Sequence, residues 1–413
     1  MSVDTVILIG AGSVLLIASV SGKLERLWLT EPMVAMVLGV AVGLARGGSF
    51  ENQNQVVLVF LELTLALVLF TDASRIDIGR LREGYNWPLR MLLIGMPVVI
   101  VLGTVSAGWL LGVPFGMALL IGVILAPTDA ALAEPVLTSR LVPARVRQTI
   151  NVESGLNDGL AVPALLIALA VIESELGQPV RTVVRVLVEQ LGIGVAGGLA
   201  LGWVGAWLIG RGIARGWMNP LHQRIAALGL ALAGYAGVQL LGGSGFVAVF
   251  IAGGLMSHLV EPDSAYLYDF AEAEGHSLVL LAFLVFGAVP VAGFVRSEAT
   301  LMPFVLAVLA LVVLRPVSIW ISLLGQGLKA RTVAFLGWFG PRGLATIVFL
   351  LIALEERNVL DQVIVDTVTI TVVLSVLAHG LTAVPMARWL AGAKMTDDMP
   401  EMGEAFEHPM RRA

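Results

Sequence analysis

Polar residues that could bind a bare cation are concentrated in two consecutive apolar stretches. One stretch is interrupted by Ala126-Pro127-Thr128-Asp129-Ala130, and the next carries Asn151-Val152-Glu153-Ser154-Gly155-Leu156-Asn157-Asp158-Gly159. Proline removes a backbone donor and clashes with the preceding turn, so a short unwound segment with freed carbonyls is expected near Pro127. Carboxylate, hydroxyl, amide and carbonyl oxygens are the hard ligands that sodium and potassium ions prefer.

The second of these stretches has helical spacing. Residues four apart share a helix face, so Ser154 and Asp158 form one polar stripe and Glu153 and Asn157 form the next. Ionisable groups at membrane depth cost several kcal/mol and are functional candidates by default. The pattern predicts a cation site at Asp158, Ser154, Glu153 and Thr128, with Asn157 beside it.

A second interrupted stretch lies late in the chain, at Gly337-Trp338-Phe339-Gly340-Pro341-Arg342-Gly343. Paired breaks in the two halves of a chain indicate an inverted-repeat transporter. Arg342 and Arg315 both fall inside apolar segments, where each cation needs an acid. We expect Glu153 to pair with Arg342 and Glu62 with Arg315, so that both arginines stabilise the core rather than contact an ion.

The amino-acid composition indicates that membrane-spanning helices hold these residues. Of 413 residues, 58% are hydrophobic and 13% are charged, and the mean hydropathy is +0.92. A soluble domain carries about a quarter charged residues, so the chain is an all-α polytopic membrane protein. The net charge of −5 excludes a nucleic-acid partner, and the absence of cysteine excludes disulfides and thiolate metal sites. Thirteen apolar segments are long enough to span a bilayer: 5–22, 27–45, 55–71, 88–111, 114–137, 146–173, 183–210, 224–241, 244–260, 275–295, 299–325, 332–354 and 362–392.

The basic residues predict the orientation. Alternate loops, the ends of the spans beside them and the C-terminal tail carry 18 of the 25 lysines and arginines, which places these loops in the cytoplasm. The N-terminus is then outside and the C-terminus inside. The loop 261–274 is assigned inside although it is acidic, since acidic residues contribute little to this rule. Nothing in the chain resembles a nucleotide-binding module, and no enzymatic activity or cofactor is expected.

The motifs resemble those of NhaP-type cation/proton antiporters, prokaryotic relatives of the animal sodium/proton exchangers. The resemblance is carried by Thr128-Asp129 followed by Glu153-Ser154-Gly155-Leu156-Asn157-Asp158-Gly159. Further matches are Phe339-Gly340-Pro341-Arg342-Gly343, Arg315-Pro316 and Ser244-Gly245-Phe246-Val247-Ala248-Val249. The resemblance covers essentially all thirteen spans.

This resemblance implies two inverted six-helix repeats with two broken, crossing helices in the core. Asp158 becomes the ion- and proton-binding carboxylate, Glu153, Ser154 and the Thr128 carbonyl become ligands or near-ligands, and Asp129 offsets the dipoles of the broken helix ends. It also implies a homodimer in a prokaryotic cytoplasmic membrane. The implied organisation is scaffold and dimerisation helices in 1–87 and 174–297, core transport helices in 88–173 and 298–393, and a short cytoplasmic tail in 394–413.

The implied activity is exchange of a monovalent cation for H⁺, which would serve pH homeostasis and sodium transport. A carboxylate sequestered from water can be neutralised by a proton or a cation but not readily left bare, so competition at Asp158 suffices for exchange. In electrogenic relatives an aspartate occupies the position of Asn157, and the asparagine therefore implies electroneutral exchange. Na⁺ is the first choice, Li⁺ is a further candidate, and K⁺/H⁺ exchange is the alternative.

Three other classes of protein are weaker interpretations. A channel would not need carboxylates beside two broken spans. An intramembrane hydrolase could use Gly242-Gly243-Ser244-Gly245 with His258 or His379, but it leaves Asp158 unexplained. A proton-coupled importer of an organic solute would need a larger aromatic pocket, and the chain has only four tyrosines.

Overall fold

The computed structural model describes residues 3–26, 29–45, 54–75, 86–260, 266–295, 301–355, 362–392 and 400–402. Within these ranges thirteen long helical segments follow one another, and two of them are broken into halves, a and b. They are α1 Val3–Arg26, α2 Glu31–Ala45, α3 Asn54–Arg75, α4 Asn86–Leu111, α5a Phe115–Ile124 and α5b Ala130–Leu137, α6 Ala144–Glu175, α7 Val180–Ala214, α8 Pro220–Leu240, α9 Gly245–Leu259, α10 266–294, α11 Leu301–Ser322, α12a Ala330–Trp338 and α12b Leu344–Glu355, and α13 Gln362–Ala391.

The helices have the length and composition of membrane spans. Seven described helices are long and apolar enough to cross a bilayer, and five shorter apolar helices of 10–17 residues accompany them. The shorter set includes α5a and α12b, which are short because the chain breaks beside them. The prediction of an all-helical chain with about thirteen spans and two interrupted helices is confirmed.

Helices α4–α6 and α11–α13 are two copies of one unit. In each unit the first helix contains a π-helical turn, at Met91–Gly95 in α4 and at Ala310–Leu314 in α11. After one intervening residue, each turn is followed by a proline, Pro97 or Pro316. The proline has no N–H, and this disrupts the regular pattern of helix hydrogen bonds. The second helix is broken and the third is long. Equivalent helices, such as α4 and α11, are seven places apart in the order of spans. Because seven is an odd number, the two units cross the membrane in opposite directions.

The two units pack directly against each other. Helix α11 packs on α4, α13 packs on α5b, and α5a lies between α4 and α6. A second set of contacts joins α7 to α9, α9 to α3, and α10 to α2. The division into core and scaffold helices stays a prediction.

Glycines allow the closest approaches between the helices of the second set. A Cβ at Gly253 of α9 would lie 2.4 Å from the carbonyl oxygen of Phe70 in α3. A Cβ at Gly287 of α10 would lie 2.1 Å from the carbonyl oxygen of Met36 in α2. Small residues let membrane helices approach until their backbones touch, so these helices form tight contacts.

The start of α10 differs from the prediction. The segment 261–274 is predicted as a loop, whereas the structure is helical from Tyr266 onwards. Leucine, alanine and glutamate favour a helix, and 266–274 contains no glycine or proline. The acidic side chains of 261–274, and the tail 394–413 apart from 400–402, lie outside the described residues.

A short C-terminal turn, Pro400–Met402, docks on the core helices. The Glu401 Oε1 atom accepts hydrogen bonds from the Lys329 backbone N–H at 2.8 Å and from the Thr332 hydroxyl at 2.9 Å, at the N-terminus of α12a. The Arg145 guanidinium of α6 donates to the Pro400 carbonyl at 2.9 Å. Glu401 is buried, so this segment supplies the N-terminal cap that α12a lacks from its own sequence.

Replacing Glu401 should therefore destabilise the protein. Glu401→Ala leaves the Lys329 N–H and the Thr332 hydroxyl without their acceptor, at a cost of about 1–3 kcal/mol. We expect thermal unfolding in detergent at a lower temperature than in the wild type. Glu189→Ala is the control, because Glu189 is paired with Arg185 on an exposed surface, where such pairs contribute little. Equal melting temperatures for both variants would contradict the capping role.

Candidate cation-binding site

The two helix breaks cross, and Asp129 joins them. The Asp129 N–H donates to the Pro341 carbonyl of the other break at 2.7 Å. Its Oδ1 atom accepts from the Ala131 N–H at 2.8 Å, and its Oδ2 atom accepts from the Leu344 N–H at 2.8 Å. One carboxylate thus caps the N-termini of α5b and α12b, where the helix dipoles place partial positive charge.

Gly343 makes this bridge possible. A Cβ at this position would lie 1.8 Å from Asp129 Oδ2 and 2.6 Å from Asp129 Cβ. A side chain there would displace the whole carboxylate rather than only its tip. The glycine in Pro341-Arg342-Gly343 is therefore a requirement of the crossing.

Arg342 compensates the opposite helix end. Its Nε atom donates to the carbonyl of Leu125, the residue that ends α5a, at 2.9 Å. Its Nη1 atom donates to the Gly340 carbonyl at 2.5 Å, and its backbone N–H donates to the Ser375 hydroxyl at 2.7 Å. A cation among helix C-terminal carbonyls is favourable. Arg342 is only 1% exposed, and these carbonyls, rather than a carboxylate, are its hydrogen-bond acceptors.

Glu153 pairs with Arg315, which corrects both predicted pairs. Arg315 Nη1 lies 2.7 Å from Glu153 Oε1, and Nη2 lies 2.8 Å from Oε2, in a bidentate contact between α11 and α6. The pairing of Glu153 with Arg342 is wrong, and so is that of Arg315 with Glu62. Spacing along the sequence could not show which arginine pairs with Glu153, because the pairing depends on the side of the crossing on which each helix packs.

Glu62 lies in a different part of the membrane region. It lines a cavity of about 360 Å³ together with Glu173, Gln190 and Gln239. Nine residues of α3 separate Glu62 from Thr71, which at 1.5 Å per residue is roughly 14 Å. This distance explains why Glu62 does not reach the crossing.

Thr128 organises a hydrogen-bond network behind the site. Its hydroxyl donates to Glu153 Oε2 at 3.3 Å and accepts from Asn157 Nδ2 at 2.5 Å. The Ser154 hydroxyl lies 3.0 Å away. Because the single Thr128 proton is directed to Glu153, Ser154 donates to Thr128 and keeps its lone pairs available. The Thr128 carbonyl stays a predicted ligand.

Asp158 and Ser154 face a cavity of about 380 Å³. Asp158 is 6% exposed, and its Oδ1 atom has no hydrogen-bond partner among the described residues. The residues found to line the cavity include neither Glu153, Thr128 nor Asn157. Its polar lining is formed by Thr71, Asp72, Arg75, Asp129, Glu134, Thr138, Asn151, Ser154, Asp158 and His276.

The electrostatics of this cavity favour a positive ligand at Asp158. The carboxylates of Asp72, Asp129 and Glu153 all act on it electrostatically. Asp129 is satisfied by backbone donors and Glu153 by Arg315, which leaves Asp158 as the carboxylate with an unsatisfied oxygen. Such a group binds a cation or a proton more readily than it stays bare.

Three neighbours of the site are absent from the set of site residues predicted from the sequence. Asp72 of α3 lines the cavity. On α13, Ser375 receives the Arg342 N–H, and His379 Nε2 donates to the Trp338 carbonyl at the end of α12a at 2.8 Å. His379 is buried. In the sequence the signal for it was its place in an apolar span, which favours a structural role beside the broken helix over that of a hydrolytic base.

The chain belongs to the sodium/hydrogen exchanger family, whose transmembrane region it matches over residues 12–389. The fold is that of the sodium proton antiporter MjNhaP1 from Methanocaldococcus jannaschii, with a TM-score of 0.78 and 20% identity over 95% of this chain and 100% of that one. The chain is thus an integral membrane protein of a family of monovalent cation/proton exchangers.

Two relatives differ in their named ion. A K(+)/H(+) antiporter NhaP of Alkalimonas amylolytica is 26% identical over 94% of this chain and 67% of its own length. A Na(+)/H(+) antiporter, ApNhaP of Aphanothece halophytica, is 27% identical over 78% of this chain and 63% of its own length.

The corrected ion pair can be tested by paired substitutions. Arg315→Gln leaves the buried Glu153 charge uncompensated, and the free energy of unfolding should fall by about 3–5 kcal/mol. Adding Glu153→Gln removes that charge and should recover part of the loss. The measurement is thermal unfolding in detergent for the single and double variants.

The control is the same cycle with Arg342→Gln in place of Arg315→Gln. Because carbonyl oxygens accept from Arg342, adding Glu153→Gln should recover little there. Equal recovery in both backgrounds would overturn the assignment of Arg315 as the partner.

Proposed function

We propose that this protein exchanges Na⁺ for H⁺ across the membrane by letting the two ions compete for Asp158. The observation that carries the proposal is the Asp158 carboxylate, which is buried, has an oxygen without a hydrogen-bond partner in the described part of the chain, and faces a cavity beside Ser154. Membership of the sodium/hydrogen exchanger family supports the same activity.

The competition couples the two fluxes. A bare carboxylate is costly at membrane depth, so the core helices change sides only when Asp158 carries a proton or a cation. Each direction of movement then carries a different ion. Ser154 supplies a second oxygen, and the Thr128 carbonyl at the unwound break supplies a third.

The other acidic and amide groups set the charge balance. Arg315 donates to both oxygens of Glu153, so Glu153 already has a partner of opposite charge and acts as scaffold. The Asn157 amide N–H donates to the Thr128 hydroxyl, and this side chain has no titratable proton. In the proposed cycle Asp158 is the carboxylate that alternates between proton and cation, and the exchange is electroneutral.

The cavity supports an inward-facing state. It is lined by Arg75 at the end of α3, Thr138 after α5b, and Gly275 in α10. The distribution of basic residues assigns these positions to the cytoplasmic side, with the N-terminus outside and the C-terminus inside. In this arrangement α4–α6 and α11–α13 move as the core, while α1–α3 and α7–α10 form the scaffold and a homodimer interface in a prokaryotic cytoplasmic membrane.

Potassium is the second candidate ion. The relative that aligns over 94% of the chain is named as a K(+)/H(+) antiporter, whereas the sodium-named relative aligns over 78%. Sodium, lithium and potassium all accept the oxygen ligands at Asp158. Dequenching of a trapped pH dye in proteoliposomes, with each cation added in turn, identifies the ion.

Asp158→Asn should abolish exchange, because an amide binds neither the proton nor the cation with charge compensation. The measurement is cation-dependent dequenching of a trapped pH dye in proteoliposomes. Asp366→Asn is the control, since Asp366 is a buried carboxylate in α13 that accepts from Gln362 away from the cavity. Full exchange by Asp158→Asn would exclude this site.

Exchange by the wild type should generate no current. With one cation per proton, a voltage-sensitive dye in the same proteoliposomes should show no response when a cation gradient drives exchange. Asn157→Asp adds a second titratable carboxyl beside the first and is the comparison variant. A cation-driven potential in the wild type would overturn the one-for-one stoichiometry.

A further inference from the structure

Thr71 of α3 is a buried hydroxyl without a partner at the cation cavity. Its side chain is 5% exposed, and its Oγ1 atom has no hydrogen-bond partner among the described residues. It lines the same cavity as Asp158 and Ser154. Burying a hydroxyl without a partner costs about 1–3 kcal/mol, and a ligand in the cavity that reached the Thr71 hydroxyl would recover this cost.

The other buried hydroxyls of α3 are satisfied by their own helix. The Thr64 hydroxyl donates to the Phe60 carbonyl at 2.8 Å, and the Ser74 hydroxyl donates to the Thr71 carbonyl at 2.8 Å. Thr71 makes no such bond. Its neighbours on the same helix face, Val68, Asp72 and Arg75, also line the cavity, so Thr71 lies on the face of α3 that borders the cavity.

Resting on the proposed exchange at Asp158, we infer that the Thr71 hydroxyl is a ligand of the bare monovalent cation, directly or through one water, in the cavity-open state. A hydroxyl oxygen is a hard ligand of the same kind as Ser154. The cation is then held from two sides, by α6 through Asp158 and Ser154 and by α3 through Thr71.

The position of Thr71 on α3 gives this ligand a separate role. Helix α3 packs against α9, in the part of the protein proposed as scaffold, whereas Asp158 belongs to the proposed core. A ligand on the stationary side is left behind when the core moves. Thr71 therefore favours loading of the cation over loading of the proton on this side, because the proton needs only the carboxylate.

The test compares Thr71→Val and Thr71→Ala with Thr71→Ser in proteoliposomes. The two variants without a hydroxyl should raise the KM for the transported cation on the order of tenfold, with the maximal rate little changed. Thr71→Ser keeps the oxygen and should stay near the wild type. Thr64→Val is the matched control, since it removes a buried hydroxyl of α3 that its own helix satisfies.

A second readout does not depend on transport. Addition of NaCl, compared with choline chloride, should raise the melting temperature of the detergent-purified wild type, because a ligand that binds the native state stabilises it. This increase should shrink in Thr71→Val and Thr71→Ala and persist in Thr64→Val. KCl replaces NaCl if potassium is the transported ion.

The outcomes separate this inference from the proposed function. Unchanged KM and unchanged salt stabilisation in both hydroxyl-free variants, with an active wild type, overturn the role of Thr71 alone. An equal rise in KM for Thr71→Ser and Thr71→Val also overturns it, since the oxygen would then be irrelevant. A wild type that exchanges no cation overturns the proposed function itself.

Discussion

The crossing of two broken helices imposes the main constraint on this molecule. Each break leaves helix ends with unsatisfied backbone groups and partial charges in an apolar region, where such groups cost several kcal/mol. Asp129 satisfies the N-terminal ends of α5b and α12b, and Arg342 satisfies the C-terminal end of α5a. The two residues carry opposite formal charges matched to opposite dipole ends. Because Asp129 and Arg342 compensate the backbone groups at the helix ends, Asp158 is not needed to hold the crossing together.

The buried pair of Arg315 and Glu153 distinguishes Glu153 from the other acidic residues near the site. In this bidentate pair both side chains are nearly inaccessible, so the Glu153 carboxylate beside the site is matched by the Arg315 guanidinium. Thr128 extends this pair to Asn157 and Ser154, so a hydrogen-bond network forms the back of the site. Only Ser154 and Asp158 of the two predicted stripes turn towards the cavity. In the proposed mechanism the exchange is concentrated on Asp158, which would give one cation against one proton.

The cavity joins elements with different tasks. Its lining comes from α6 and the break in α5, and also from α3 and α10, which pack with α2 and α9. An ion in such a cavity contacts both parts of the protein at once. In the proposed mechanism, movement of one part against the other would change the set of ligands around the ion without breaking the core, because the contacts of Asp129, Arg342 and Arg315 tie the core internally.

The sequence by itself determined the membrane spans, the two breaks and the cation-site candidates. Apolar length fixes spans because of bilayer thickness, Pro127 and Pro341 remove backbone donors, and helical spacing places Ser154 beside Asp158. Only the tertiary structure decided which arginine pairs with Glu153, that carbonyls accept from Arg342, and that Thr71 borders the cavity. These facts depend on the packing of α11, α12 and α3 around α6, and such contacts join residues more than 80 positions apart. Local spacing carries information about one helix face, whereas pairing between helices is set by how their surfaces fit together.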